Sequence, residues 1–189
     1  IILFVSDDQG WSNVGYHNST ANTPNIDALA KNGIRLEKHY SYPLCAPSRT
    51  SLLTGRYFHN IESSIILCSD TIKKTGCTYY EHYIPHGLPT IANTLKNAGY
   101  TTYHVGKWGV GSSATWMLPS QRGFDYSFGF LKDHNNYFSD KIYNHACSGL
   151  DAWNHTKNKS RHVSFMGYRP YVHRDEALRY INKHLSLIH

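Results

Sequence analysis

Two acidic residues stand side by side near the start of the sequence, directly after a short apolar run. Asp7 and Asp8 follow residues 1–5 with only Ser6 between. A short run of apolar, β-branched residues predicts a buried strand, and ligands of open α/β sheets lie beyond the carboxyl ends of strands. Adjacent carboxylates at such a place suit a hard divalent cation, which prefers oxygen ligands. Acidic pairs are also common in solvated turns, so both interpretations stay open for this pair taken alone.

A cysteine and an arginine four residues apart form the second candidate. Cys45-Ala46-Pro47-Ser48-Arg49 leads into Leu53-Thr54-Gly55-Arg56, and residues 47–54, closed by Gly55, have the pattern of a helix. A cysteine just before a helix start lies where the helix dipole favours an anion, which suits a nucleophile or an anion-binding site. Arg49 lies one turn further on, close enough to return to the same anion. A buried structural cysteine, or half of a disulfide, explains the position of Cys45 equally well.

The elements that must position these residues alternate between helix and strand, which indicates an α/β domain. Helices are predicted over residues 24–32, 47–54, 88–98 and 173–188, and strands over residues 1–5, 34–40 and 100–105. Two stretches lack this pattern, residues 58–86 and 133–161, and are interpreted as surface loops.

The composition describes a chain that is able to form a hydrophobic core. Of its 189 residues, 40% are hydrophobic and 17% are charged, which is far from the composition of a disordered segment. The length corresponds to one domain, residues 1–189. Its longest apolar runs, residues 1–5 and 65–67, are much shorter than the roughly 20 residues of a membrane-spanning helix. No membrane span is therefore predicted.

The positive charge of the chain is scattered rather than clustered. Its formal net charge is +6 and its pI is near 9.1, but the lysines contain a single adjacent pair, Lys73-Lys74. Nucleic-acid binders carry basic clusters or the spacings of known modules, and the sequence has neither. We therefore expect no nucleic-acid partner. The 13 histidines would make the chain strongly cationic below about pH 6.5.

Several motifs, taken in order along the chain, resemble those of the sulfatase family. Cys45-x-Pro-Ser-Arg49 followed by Leu53-Thr-Gly-Arg56 looks like the signature in which the cysteine is oxidised to formylglycine. Further matching segments are Ile2-Leu-Phe-Val-Ser-Asp-Asp-Gln-Gly-Trp11, Asn22-Thr-Pro-Asn-Ile-Asp27, Ala98-Gly-Tyr-Thr-Thr102, Gly106-Lys-Trp108 and Arg122-Gly-Phe-Asp125. The resemblance is closest to the arylsulfatase B-like branch, whose members are lysosomal or secreted. It implies an alkaline-phosphatase-like α/β sandwich with a mixed, mostly parallel sheet flanked by helices, incomplete at the C-terminus.

The resemblance also implies a role for each candidate residue. Cys45 matches the formylglycine precursor, whose hydrated aldehyde attacks sulfur in the hydrolysis of sulfate esters, a form of covalent catalysis. Asp7 and Asp8 match two ligands of a calcium ion, and the modified Cys45 completes the near shell of that ion. Arg49 matches the residue that steadies the hydrated aldehyde. Lys107 matches a lysine that contacts the sulfate, although an ordinary surface lysine is the alternative interpretation.

The sequence departs from the family pattern in two places. The family has Gly-Lys-Trp-His-Leu-Gly where this chain has Gly106-Lys107-Trp108-Gly109-Val110-Gly111, so Gly109 replaces a histidine that contacts the hydrated aldehyde. Glycine neither donates nor accepts a proton, and a substantial loss of turnover is expected unless another residue substitutes. Later metal and sulfate ligands of the family are not matched within 189 residues. We therefore expect an N-terminal part of a catalytic domain that is inactive alone.

The cysteines and glycosylation signals bear on whether the protein enters the secretory pathway, an expectation that rests on the family resemblance. If Cys45 is modified, then Cys68, Cys77 and Cys147 remain; either Cys68 pairs with Cys77, or all three pair elsewhere. Three sequons begin at Asn18, Asn154 and Asn158, and the last two are expected to be accessible in a loop. The family implies a formylglycine-generating enzyme as a partner and a lysosomal or secreted location, although no signal peptide is present in this chain.

Three functions of different classes follow from these residues. The first is a calcium-dependent sulfatase that cleaves sulfate esters, either aryl sulfates or sulfated, glycosaminoglycan-like sugars. The second is a catalytically impaired pseudo-sulfatase that binds sulfated glycans, because Gly109 stands in place of the family histidine. The third is a structural glycoprotein in which Cys45 stays a thiol.

Overall fold

The computed structural model describes residues 1–61, 65–67, 80–133, 135–141, 149–156, 159–165 and 167–185. The chain divides into two compact units, residues 1–42 and 43–189, and each is described by itself. Cys68, Cys77, Cys147 and Asn158 lie outside the described residues, so the alternatives for disulfide pairing and one sequon stay predictions. No helix in the described part of the chain is both long and apolar enough to cross a membrane.

The first unit contains one α-helix, α1 (Pro24–Asn32), where the sequence predicts it. Thr23 precedes the helix, Pro24 opens it and Gly33 follows it. The Thr23 hydroxyl accepts a hydrogen bond from the Gly15 backbone N–H (2.7 Å) and donates to Asp27 (2.9 Å). Asp27 also accepts from the Tyr16 N–H (3.1 Å). Residues 22–27 of the family pattern therefore serve to tie the helix to the preceding turn.

The two strands predicted in this unit are not present. Residues 1–5 and 34–40 form no strand, and Ile1 and Ile34 are 94% and 93% exposed. A strand forms only where its backbone N–H and C=O groups pair with a neighbouring strand, and neither segment has such a pairing among the described residues. The prediction was wrong at this level because an apolar, β-branched run indicates a preference for extended backbone without showing which strand will pair with it.

The second unit is built on a mixed four-stranded sheet. Its strands are β3 (Tyr103–Lys107), β4 (Tyr126–Phe130), β5 (Trp153–Thr156) and β6 (Lys159–His162), in spatial order β3-β4-β5-β6. The pairing of β3 with β4 is parallel, and the other two pairings are antiparallel. A separate antiparallel pair joins β1 (Ile65–Leu67) to β2 (Tyr80–His82).

In the described residues of this unit, three α-helices accompany the sheet: α2 (Cys45–Thr54), α3 (Ile91–Asn97) and α4 (Arg169–Leu185). All three are predicted, with shifted ends. Helix α2 begins two residues earlier than expected, and α3 begins later, because Thr90 is its N-cap and accepts a hydrogen bond from the Asn93 N–H (3.3 Å). Helix α4 begins before residue 173, and the predicted end at residue 188 lies outside the described residues.

Strand β5 and all but the last residue of β6 lie within residues 133–161, which the sequence indicates to be a loop. The loop prediction was wrong for these segments because their residues, Trp-Asn-His-Thr and Lys-Ser-Arg-His, lack apolar alternation. The sequon residue Asn154 consequently lies on a strand and is partly buried, rather than in an accessible loop.

Asp125 links α3 to the residue that precedes β3. Its carboxylate accepts hydrogen bonds from the Lys96 ammonium (2.5 Å) and from the Thr102 backbone N–H (3.1 Å). The Thr102 hydroxyl also donates to the Gly123 carbonyl (2.6 Å). Burial opposes ionisation of Asp125, but the hydrogen bonds from Lys96 and Thr102 outweigh it and hold the pKa of this carboxyl below its usual value. Two further motifs of the family pattern thus have a structural role here.

The hydrophobic core lies where β3 and β4 end. Trp108, Ile84, Val110 and Leu131 are buried together there, and the Trp108 indole N–H donates to the Gly111 and Met117 carbonyls (both 3.0 Å).

Beside this core, β3 and β4 meet backbone against backbone. Gly106 lies opposite Gly129, and a Cβ atom on Gly129 would lie 1.9 Å from the Gly106 carbonyl oxygen. The close approach therefore requires glycine at position 129.

Candidate active site

Cys45 is the first residue of α2, with its side chain partly exposed. Leu44 is the N-cap residue, and its carbonyl accepts from the Ser48 hydroxyl (2.8 Å). Ala46, Pro47 and Thr50 are buried and anchor the first turns. Cys45 is a free thiol in the described part of the chain. The helix N-terminus therefore presents this side chain where the backbone favours an anion.

Arg49 connects α2 to the end of β3. Its guanidinium Nη1 donates a hydrogen bond of 2.7 Å to the Lys107 carbonyl, across 58 residues of sequence. Arginine has several donors in a fixed plane, which gives this contact a defined direction. The structure thus brings together Arg49 and Lys107, which the sequence predicts at the hydrated aldehyde and at the sulfate, respectively.

The Lys107 carbonyl also accepts a hydrogen bond from His104. The His104 Nε2 lies 3.2 Å from that oxygen, and its Nδ1 lies 2.9 Å from the Ser127 hydroxyl. These partners assign the proton to Nε2, with Ser127 donating to Nδ1. Burial, against the opposing hydrogen bond to the Lys107 carbonyl and with help from the nearby Arg49 charge, lowers the pKa of His104 to about 4. His104, which the sequence could not place, therefore contacts the backbone of Lys107 as a neutral ring.

A row of alternating histidine and serine crosses the sheet from this point. His104 on β3 pairs with Ser127 on β4, Ser127 with His155 on β5, and His155 with Ser160 on β6. The His155 Nδ1 lies 2.8 Å from the Ser160 hydroxyl. Burial lowers the pKa of His155 to about 4. It does the same for His173 on α4, where the Arg169 charge adds to the effect. Three imidazoles in this unit are thus held neutral.

Gly109 lies against the same two cations and one carboxylate. Its φ angle is +68°, in the left-handed region that favours glycine. A Cβ atom placed there would lie 3.1 Å from the Asp133 Oδ1, 3.3 Å from the Lys107 Cε and 3.5 Å from the Arg49 Cδ. These distances show that Asp133 faces the place from which a side chain at position 109 would extend.

Asp133 is a site residue that sequence reasoning missed. Its Oδ1 is buried without a hydrogen-bond partner in the described part of the chain. The preceding residues are fixed because Asp151 accepts hydrogen bonds from the Leu131 and Lys132 backbone N–H groups (both 2.9 Å). One sequence signal was present: Asp133 follows an apolar segment, as Asp7 and Asp8 do, but its strand was not predicted.

Asp7 and Asp8 lie in the first unit and are exposed. The φ angle of Asp8 is 55°, which is uncommon outside glycine and is better tolerated by aspartate than by most residues. Their adjacent carboxylates are hard oxygen donors and fit a calcium ion in kind, although calcium takes six to eight oxygens. Among the described residues, no group of three or more His, Cys, Asp or Glu side chains is placed to hold a metal ion.

Comparison with known proteins gives the family of the chain. A family model described as Sulfatase matches residues 1–186. Arylsulfatase J of Mus musculus is 38% identical over 141 residues, which are 74% of this chain and 22% of that protein. N-acetylgalactosamine-6-sulfatase of Rattus norvegicus is 35% identical over 151 residues, 75% of this chain and 27% of that protein. The chain therefore spans about a quarter of the length of these two curated relatives.

A solved structure shows the same fold. The crystal structure of Ps i-CgsB is 29% identical and superposes with a TM-score of 0.76, covering 95% of this chain and 40% of that one. The same protein has been solved in complex with k-i-k-neocarrahexaose and superposes with a TM-score of 0.74. These likenesses confirm the expected α/β architecture of a mixed sheet flanked by helices. Because the family model covers nearly the whole chain, we conclude that this chain belongs to the sulfatase family.

Proposed function

We propose that the chain contributes the nucleophile and part of the sulfate-binding site of an arylsulfatase-type sulfuric ester hydrolase. The observation that carries the proposal is the hydrogen bond of 2.7 Å between the Arg49 guanidinium and the Lys107 carbonyl. It joins the helix that begins with Cys45 to the strand that ends with Lys107. Family membership supports sulfate-ester chemistry for this arrangement.

The two cations have complementary tasks in this proposal. Lys107 supplies a compact positive charge for the sulfate, and Arg49 supplies directional N–H donors that do not titrate at physiological pH. Charges fixed before the substrate arrives stabilise a transition state without reorganisation. The hydrogen bonds from Arg49 and His104 to the Lys107 carbonyl keep the end of β3 in place. This preorganisation is what the local structure contributes to catalysis.

Two groups that the family implies would complete the site. Formylglycine derived from Cys45 would supply the nucleophile, and the N-terminal position of Cys45 on α2 suits an anionic form of that side chain. Calcium would supply positive charge beside it, held by Asp7, Asp8 and residue 45. We propose a formylglycine-generating enzyme as the partner that modifies Cys45.

We further propose a sulfated sugar or an aryl sulfate as the substrate. The relative from Rattus norvegicus is named for a sulfated amino sugar, and Ps i-CgsB has been solved with an oligosaccharide. A lysosomal or secreted location follows from the same family relationship. The chain alone is expected to be inactive, because it spans about a quarter of its relatives, so the tests below use the full-length gene product.

Mass spectrometry of the tryptic peptide of residues 39–49 tests the chemistry at Cys45 directly. Protein from a secretory host that makes formylglycine is expected to carry the aldehyde at position 45, and chelation of calcium is expected to abolish aryl sulfate hydrolysis. Cys45→Ala should remove turnover while sulfate still binds. An unmodified cysteine in otherwise folded protein would overturn the formylglycine mechanism.

A pseudo-sulfatase that binds sulfated glycans without cleaving them is the second candidate. It is favoured by Gly109, which offers no side chain where the family has a histidine. Binding of a sulfated glycan by protein that carries formylglycine and calcium, without release of inorganic sulfate, would establish this function instead. Release of sulfate that is lost in Cys45→Ala would exclude it.

A further inference from the structure

We propose that Asp133 is a specificity-determining residue that accepts a hydrogen bond from a sugar hydroxyl next to the sulfate ester. This inference rests on the proposed function and narrows its substrate class. It predicts a preference for carbohydrate sulfates with a free neighbouring hydroxyl over aryl sulfates that have none.

The position of Asp133 places it in the sulfate site rather than beside it. The Cβ position of Gly109 lies within 3.5 Å of Asp133, Lys107 and Arg49 side-chain atoms, so all three side chains meet at one point. Two of these are the proposed site cations, Lys107 at the sulfate and Arg49 at the hydrated aldehyde beside it. A carboxylate at the same point cannot bind the sulfate itself, because like charges repel. It is instead placed to address the uncharged part of a substrate that carries the sulfate.

The hydrogen-bonding state of Asp133 indicates what kind of group it addresses. Its Oδ1 is buried and has no partner in the described part of the chain. A buried acceptor without a donor is costly and is uncommon away from functional sites. Asp133 as a whole is only partly buried, so a substrate is able to reach the residue, but Oδ1 gains a partner only from a group that carries a donor. A sugar hydroxyl is such a donor, whereas the ring of an aryl sulfate is not.

Glycine at position 109 is the feature that makes this role compatible with the site. A side chain there would begin 3.1 Å from the Asp133 Oδ1, which is tighter than ordinary van der Waals contact, so it would crowd that oxygen. The departure from the family pattern and the unpartnered carboxylate therefore have one explanation. Gly109 has no side chain, and the Asp133 carboxylate provides a hydrogen-bond acceptor next to the space that a side chain at position 109 would fill.

Calorimetric binding tests the proposal independently of turnover. The full-length protein with Cys45→Ala is titrated with galactose sulfates carrying the ester at position 3, 4 or 6, and with phenyl sulfate. Adding Asp133→Ala is expected to weaken binding of the preferred sugar sulfate by about 10- to 100-fold, because a hydrogen bond to a charged group is lost. Binding of phenyl sulfate is expected to stay the same or to tighten, because a nearby negative charge is removed.

Two controls separate recognition from structural damage. Asp175→Asn removes an exposed carboxylate on α4 and is expected to change neither affinity. The deoxy analogue of the preferred sugar, lacking the hydroxyl next to the ester, should bind as weakly as the sugar binds to Asp133→Ala, with no further loss in that variant. Equal losses for sugar and phenyl sulfate, or no change in their ratio, would overturn the role of Asp133. Failure of the native protein to form formylglycine would count against the proposed hydrolysis but would leave this binding ratio measurable.

Discussion

The free energy of unfolding is expected to fall steeply between pH 7 and pH 5, because burial holds three histidines neutral. The pKa of His104, His155 and His173 is lowered from 6.5 to about 4 in the folded chain. The unfolded chain therefore binds more protons than the folded one throughout this range, and stability rises with pH. The contribution of each histidine is complete above about pH 6.5 and is lost as the pH falls toward 4.

The size of the effect follows from the shift. Each histidine is expected to cost about 2 kcal/mol between pH 7 and pH 5, and the three together about 6 kcal/mol. Near pH 5.5 the slope is expected to approach about 4 kcal/mol per pH unit, or about 1.4 for each group. A loss of this size is comparable with the whole stability of many domains. The positive charges of Arg49 and Arg169 act in the same direction, since they disfavour protonation of His104 and His173.

Urea unfolding of the full-length protein, followed by tryptophan fluorescence at several pH values, measures this slope. His155→Asn keeps a polar group beside Ser160 but cannot titrate, so it is expected to reduce the slope by about a third. His39→Asn removes an exposed histidine and is expected to leave the slope unchanged. A flat profile between pH 5 and pH 7, or an unaltered slope in His155→Asn, would refute the reasoning.

Three further substitutions test individual contacts. Arg49→Lys keeps the charge but loses the planar donor that holds the Lys107 carbonyl, so aryl sulfate turnover is expected to fall by about 10-fold or more while the unfolding midpoint changes little; an unchanged kcat/KM would contradict this role. Asp125→Asn removes the negative charge that pairs with the Lys96 ammonium and is expected to cost about 2 kcal/mol in urea unfolding at pH 7. Because the pKa of Asp125 is lowered in the folded chain, that cost should be complete above about pH 4, shrink as the pH falls below this value and vanish only below the pKa of the folded chain; a constant difference would argue against the pair. Thr90→Ala removes a helix N-cap and is expected to cost about 1 kcal/mol, with Thr90→Ser restoring most of the loss.

The sequence was informative where local signals and the final structure coincide. Helix α1 begins at Pro24 and is followed by Gly33. Gly55 ends α2 in the left-handed conformation expected of a helix C-cap. The motif around Cys45 placed the candidate nucleophile at a helix start, where the structure has it. These features depend on a few neighbouring residues, so they can be predicted without knowledge of the rest of the fold.

Features that depend on distant residues were not predictable. The polar strand β5 forms because β4 offers a hydrogen-bonding edge, and β6 forms because β5 offers the next one; no pattern within residues 153–162 indicates this. Asp133 acquires its significance only from its closeness to Gly109, 24 positions earlier, because β3 and β4 run parallel and their ends meet. The effect of Gly109 could be anticipated from the sequence as a missing side chain, but the residue that faces the resulting space could not.

The glycine pair between β3 and β4 changes how loss-of-function variants of this protein should be interpreted. Any side chain at Gly129 would collide with the Gly106 carbonyl, so β3 would have to move and Lys107, at its end, would move with it. Such a variant would lower the amount of folded protein in the cell as well as its activity, since small losses of stability reduce cellular abundance several-fold. An activity measured per cell would then report protein quality control, and only an activity per molecule of folded protein would report chemistry at Cys45.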